Sequence, residues 1–257
     1  ADAARGADAA EVFAGLPDHF GSEGFDRADM QMPDGHLRMI EAVAQANPNT
    51  VVVLLCGCAV ECPWADRVKA ILYMGLPGQA GGEAAADLLY GRAEPGGRLA
   101  ESWPFAYSDV PSSEIYGKTK DALYEEGVYV GYRFYDKADV PVRWPFGFGL
   151  SYTSFAYSGL TVSGDTVRVT VKNTGARAGF EVVQLYIAPP SGGLHRPVRE
   201  LKGFRKVFLR PGESETVTFA LDERAFALWQ DGWQVPGGRY TVCSGGLSAA
   251  IGKTGGE

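Results

Sequence analysis

The sequence predicts an α/β unit followed by an antiparallel β-sandwich, and three observations carry that prediction. Within the first hundred residues, largely apolar runs at 50–55 and 68–74 alternate with segments of helical period. After Tyr152 the pattern becomes short alternating strands punctuated by turn residues. A length of 257 residues holds two domains of ordinary size.

Taken in order, residues 1–10 are alanine-rich and favour helix, and 12–16 form a short buried strand. A loop follows, with Pro17 and the run 21–27. From Asp34, a plausible N-cap, Leu37, Ile40, Val43 and Ala44 recur at helical spacing until Asn47-Pro48 stops them. Residues 50–55 form a continuous run rich in β-branched residues, as in a parallel strand covered on both faces. Residues 68–74 repeat that pattern, and 79–90 form an Ala-rich helix ended by Gly91. Residues 91–150 have no sustained period and are expected to lie over a surface as a long connection. Strands at 166–172, 181–187, 216–221 and 239–243 are separated by Asn173-Thr174-Gly175, Pro189-Pro190, Arg210-Pro211-Gly212 and Pro236-Gly237-Gly238. Five to seven strands at that spacing suit a sandwich of immunoglobulin-like type.

Composition narrows the function. With 46% hydrophobic and 21% charged residues, the chain is neither disordered nor fibrous. A net charge of -7 argues against nonspecific nucleic-acid binding and suits a neutral substrate such as a sugar. The longest apolar run, 51–55, falls far short of the ~20 residues that cross a bilayer, so no membrane partner is expected. Cys56, Cys58 and Cys62 crowd together with Cys243 distant, and the three histidines are scattered, so zinc is disfavoured against small buried thiols. Those thiols, with no basic-then-apolar leader in this stretch, point to a reducing, cytoplasmic setting.

Four groupings could carry chemistry. Glu23 sits between Gly21 and Gly24 on a loop beyond a strand end, where ligands bind in open α/β sheets. From position alone, a solvated loop glutamate is the commoner outcome. Asp26 and Arg27 beside it could pair and fix the loop. The stretch 75–83 superficially resembles a phosphate-cradling loop, the basis for a nucleotide-binding alternative. It lacks the lysine and hydroxyl of a P-loop, so close packing at a helix start explains it better. In 124–135, Tyr and Phe two residues apart mark one buried face of an extended segment. Trp229 and Trp233 read as sandwich core or edge in preference to a carbohydrate clamp.

Several stretches together resemble one family. They are Ser22-Glu23-Gly24-Phe25-Asp26-Arg27, residues 46–54, Pro77-Gly78-Gln79-Ala80-Gly81-Gly82, and Pro95-Gly96-Gly97-Arg98-Leu99 with Trp103-Pro104. Downstream come residues 129–135, Pro145-Phe146-Gly147-Phe148-Gly149-Leu150-Ser151-Tyr152-Thr153, Glu200-Leu201-Lys202-Gly203-Phe204 and Leu209-Arg210-Pro211-Gly212-Glu213. In this order they resemble glycoside hydrolase family 3 of β-glucosidase type, built from a (β/α) barrel, an α/β sandwich and often a fibronectin type III-like domain.

The resemblance implies an incomplete α/β sandwich-type sheet with helices at 1–105, an aromatic-rich connection at 106–150, and an all-β immunoglobulin/fibronectin type III-like sandwich at 151–257. It implies that Glu23 is the general acid/base, with Ser22, Phe25, Asp26 and Arg27 supporting the loop or pocket. The nucleophilic aspartate is expected on a barrel outside this sequence. The partner is then a chain or segment carrying the barrel and the first part of the α/β domain; the substrate is a small saccharide or aryl glycoside. Neither cofactor nor metal is required. The isolated chain is expected to be inactive, and the sandwich to stabilise or to form homo-oligomers. The alternative is a noncatalytic carbohydrate-binding or structural subunit.

Overall fold

A computed structural model describes every residue except Gly21, Glu23, Phe25, Thr119, Gly193, Leu194, Gly256 and Glu257. The chain forms two compact units that share its length unevenly. The first takes Ala1–Ala93, Ser102–Leu123 and Pro141–Trp144, and the second Glu94–Glu101, Tyr124–Val140 and Pro145–Glu257.

The first unit is built on a three-stranded parallel sheet in the order β1 (Ala10–Gly15), β2 (Thr50–Leu55), β3 (Ala70–Tyr73). The β-branched run makes β2 the central strand, and Val52, Val53 and Leu54 are fully buried. Helix α1 (Asp34–Ala46) crosses between β1 and β2 and buries Ile40 completely. Its N-cap is Pro33, not Asp34. The proline's φ of -51° leads the chain into the helix, and Asp34 becomes the first helical residue, its charge near the positive end of the dipole. Asn47 ends α1 as expected, and its buried amide then donates to the carbonyls of Ala4 (3.0 Å) and Ala7 (2.8 Å). The alanine-rich opening is therefore not a helix beyond the single turn Asp2–Ala4. Gly6, at φ +103°, diverts it toward β1.

Helix α2 (Gly81–Leu89) follows β3. A Cβ at Gly81 would lie 2.7 Å from the Pro77 ring, so close packing at the helix start accounts for that glycine. Within the supposed surface connection, β4 (Trp103–Pro104) pairs with β5 (Val142–Trp144). Trp103 is buried, donates its indole N–H to the Val60 carbonyl, and meets Tyr73 and Trp144 edge-on at 5.1 and 5.7 Å. That stretch is core, and the expectation of a surface connection fails there because its two strands are too short to show a period.

The second unit contains α3 (Tyr132–Ala138), which corrects the extended reading of 124–135. Gly131, at φ +60°, turns the chain into this helix, and Tyr132 stacks on Phe146 at 4.6 Å. Among the described residues, seven strands then form two antiparallel sheets. One orders β10 (Ser214–Ala220), β7 (Thr166–Asn173) and β6 (Phe155–Ser163). The other orders β14 (Leu247–Lys253), β13 (Gly238–Ser244), β8 (Gly179–Ala188) and β9 (Glu200–Leu209). Alternate residues Val167, Val169 and Val171 of β7 and Val183, Leu185 and Ile187 of β8 supply the buried core. Trp229 and Trp233 belong to neither sheet. They face each other across β11 (Leu228–Trp229) and β12 (Trp233–Gln234), 65% and 51% exposed, so the core reading is corrected.

The turn signal at Asn173 is also a clamp. Its fully buried amide donates to the Arg177 and Leu209 carbonyls (2.7 and 2.8 Å) and accepts from Thr153 Oγ1 (2.7 Å) and Gly175 N–H (3.0 Å). Asn173→Ala is expected to cost about 2–3 kcal/mol, because it strands several polar groups without water. Urea unfolding followed by tryptophan fluorescence checks this.

Candidate active site

The segment carrying the acid/base candidate leaves the C-terminal end of β1 and returns at α1. Gly15 makes the departure possible: a Cβ there would lie 1.7 Å from the Leu55 carbonyl oxygen. His36 of α1 closes the two ends, its Nδ1 lying 3.0 Å from the Gly15 oxygen and 3.3 Å from the Gly15 nitrogen. Beyond the loop tip, Met32 is buried and the Met30 carbonyl accepts from Glu61 N–H at 2.8 Å.

Of the residues singled out in sequence, Glu23 and Phe25 lie outside the described residues. Ser22 is exposed, and its hydroxyl accepts from Gly24 N–H at 3.4 Å. Asp26 and Arg27 do not pair with each other. Asp26 accepts from the Tyr116 hydroxyl at 2.7 Å; Arg27 donates to the Gln31 carbonyl at 3.3 Å and lies 3.0 Å from Cys58 Sγ. The local ion pair loses because each side chain finds a partner farther along the chain. Beside this carboxylate, the Tyr116 phenol is held above its ordinary pKa, chiefly by the hydrogen bond to Asp26.

These residues open onto a cavity of about 590 Å³, lined by Asp26, Arg27, Tyr107, Ser113, Glu114 and Tyr116 among others. It has the size of a small-ligand site. Tyr107 N–H donates to Glu61 at 2.9 Å, and Lys118 pairs with Glu114 at 3.2 Å. Tyr116 and its neighbours escaped the sequence reading because they belong to the stretch without a period, and nothing local linked them to Asp26.

Among the described residues, no three His, Cys, Asp or Glu side chains are placed to hold a metal. Cys56 and Cys62 are buried and Cys58 is exposed. Burial pushes the Cys62 thiol up to about 12, so it is a packing group rather than a nucleophile.

Comparison with known proteins follows the same division. Residues 1–132 match the glycosyl hydrolase family 3 C-terminal domain, and residues 181–248 match a fibronectin type III-like domain. The chain is 48% identical over 261 residues to thermostable beta-glucosidase B of Acetivibrio thermocellus, covering 97% of this chain and 35% of that protein. It is 44% identical to an exo-alpha-(1->6)-L-arabinopyranosidase of Bifidobacterium breve, covering 98% of this chain and 35% of that one. The crystal structure of the Bifidobacterium adolescentis GH3 beta-glucosidase superposes with a TM-score of 0.94 at 44% identity, over 98% of this chain and 40% of that one. The chain thus spans about a third of the length of the curated relatives it matches. With an α/β unit at its start and a seven-stranded sandwich after it, the chain belongs to glycoside hydrolase family 3, of which it carries the C-terminal domain and the fibronectin type III-like domain.

Proposed function

We propose that this chain supplies the general acid/base, Glu23, of a retaining β-glycosidase that hydrolyses terminal non-reducing β-D-glucosyl residues. The nucleophilic aspartate would come from the barrel, and the isolated chain would be inactive. The observation that carries the reading is the run Ser22-Glu23-Gly24-Phe25-Asp26-Arg27 in a chain of this family, on the segment that follows a parallel strand in the sequence. A retaining enzyme needs one carboxylic acid to protonate the departing oxygen and a carboxylate about 5 Å away to attack the anomeric carbon. The partner is the barrel with the first part of the α/β domain. Exposed Phe13 on the edge strand β1, with Leu76 and Tyr90, is apolar surface that such a complement would bury.

The test is hydrolysis of nitrophenyl β-glucoside by the enzyme assembled with its barrel, with the first-released anomer followed by NMR. Release of the β-anomer is expected; release of the α-anomer overturns the retaining mechanism. The same assay with nitrophenyl α-L-arabinopyranoside decides the sugar, since faster turnover there would replace glucose in the reading.

The exposed Trp229–Trp233 pair favours a second reading, a noncatalytic carbohydrate-binding subunit, because indole faces stack on sugar rings. Calorimetry of this chain with glucose and cello-oligosaccharides separates the two, as binding without turnover in the assembled protein supports the module.

A further inference from the structure

We propose that Tyr116 is a positioning residue for the acid/base loop, its phenol holding Asp26 and thereby setting how the segment that carries Glu23 is presented to substrate. The proposal rests on the acid/base reading of Glu23. Between Gly15 and Asp34 no helix or strand supports the chain among the described residues, so its course is fixed by side-chain and backbone ties. The Ser22 hydroxyl accepts from Gly24 N–H, a contact inside the loop. Asp26, three positions beyond Glu23, is held from 90 residues away by Tyr116 at 2.7 Å. A phenol donating to a carboxylate is a charge-assisted bond, shorter and stronger than a neutral one.

Tyr116 is itself well supported. Its N–H donates to the Ser112 carbonyl at 2.9 Å, Ser113 beside it is buried with its N–H on the Val110 carbonyl at 3.0 Å, and Lys118 pairs with Glu114. The ring, 54% exposed, lines the same cavity as Asp26 and Arg27. A hydroxyl on a braced turn that reaches into a loop whose described residues form no helix or strand is an arrangement for orientation, and small misplacements of a reacting group cost up to ~100-fold in rate.

Orienting the acid affects only reactions that need the acid. In the enzyme assembled with its barrel, Tyr116→Phe is expected to lower kcat/KM for phenyl β-glucoside about 10-fold, yet change that for the dinitrophenyl glucoside less than about 3-fold, with the melting temperature unchanged. Because Tyr116 acts through Asp26, adding Tyr116→Phe to Asp26→Ala should produce no further loss. Equal losses on both substrates, full activity in Tyr116→Phe, or additive losses in the double variant overturn the proposal. Glu23→Gln, measured on the same pair, judges the underlying reading. A leaving-group-dependent loss in Glu23→Gln with none in Tyr116→Phe overturns the positioning role alone; equal rates in wild type and Glu23→Gln overturn both.

Discussion

Glu23→Ala is expected to lower hydrolysis of a phenyl β-glucoside by the assembled enzyme about 10²- to 10⁴-fold, the range that general acid–base catalysis contributes. The loss has two origins. In the first step the carboxylic acid gives its proton to the glycosidic oxygen as the bond to the anomeric carbon breaks; in the second, as a carboxylate, it takes a proton from the attacking water. A dinitrophenolate leaves without protonation, so with that substrate the first step survives and the second limits the rate. Azide needs no general base and fits the space left by the missing carboxyl, so it should restore turnover and yield the β-glycosyl azide. The acid must be protonated, so kcat/KM of the wild type falls as pH rises through its pKa, and the variant should lose this alkaline limb. Unchanged turnover in Glu23→Ala would exclude the role.

The second large effect concerns stability. Arg98 forms an ion pair with Glu181 of β8, with side chains only 12% and 10% exposed, and the Tyr157 hydroxyl donates to the same carboxylate at 2.7 Å. Burial, reinforced by that bond, holds the Tyr157 phenol well above its ordinary range. Glu181→Ala would leave a guanidinium and a phenol without their acceptor in a site poor in water. The expected cost is about 3–5 kcal/mol, as for removing one partner of a buried pair. Urea denaturation should show it as a lower midpoint at unchanged slope. The double replacement Arg98→Met/Glu181→Leu should recover much of the loss, since it removes both the charge and its need for a partner. A Glu181→Ala variant within 1 kcal/mol of wild type would mean that solvent reaches the pair.

Every central strand was visible in the sequence, and so were the edge strands β1, β3 and β10. Central β2, β7, β8 and β13 carry apolar residues in the period their burial demands, and each was legible within a residue or two at either end. The three sandwich strands that the pattern did not single out, β6, β9 and β14, are all sheet edges. An edge strand needs less alternation and gains from charge: β9 places Lys202, Arg205 and Lys206 beside Gly203, and β6 shifts register between Ser158 and Thr161. Helix α3 was misread because Tyr132, Phe134 and Tyr135 satisfy both a strand and a short helix, and the deciding signal was the positive φ at Gly131. At the site, the motif drew attention to Glu23, Asp26 and Arg27, but the Tyr116 partner of Asp26 and the Cys58 neighbour of Arg27 lay beyond any local pattern. A tyrosine 90 positions away leaves no periodic trace.

The way the chain alternates between its two units bears on how far they are portable. Arg98, and Glu94, which accepts from Ser151 and from the Phe180 N–H, both come from the short excursion Glu94–Glu101. Helix α3 is bound to the same unit by Asp136 through Arg199 at 2.8 Å and by the Tyr132 hydroxyl, which accepts from Leu201 N–H at 2.8 Å. A recombinant sandwich begun after residue 150 would therefore shed the counter-ion of Glu181 and a supporting helix, and would start life with a buried charge unmatched. Nature or an engineer could exchange this sandwich between relatives only by carrying along pieces of chain that look, in linear order, as if they belonged to its neighbour.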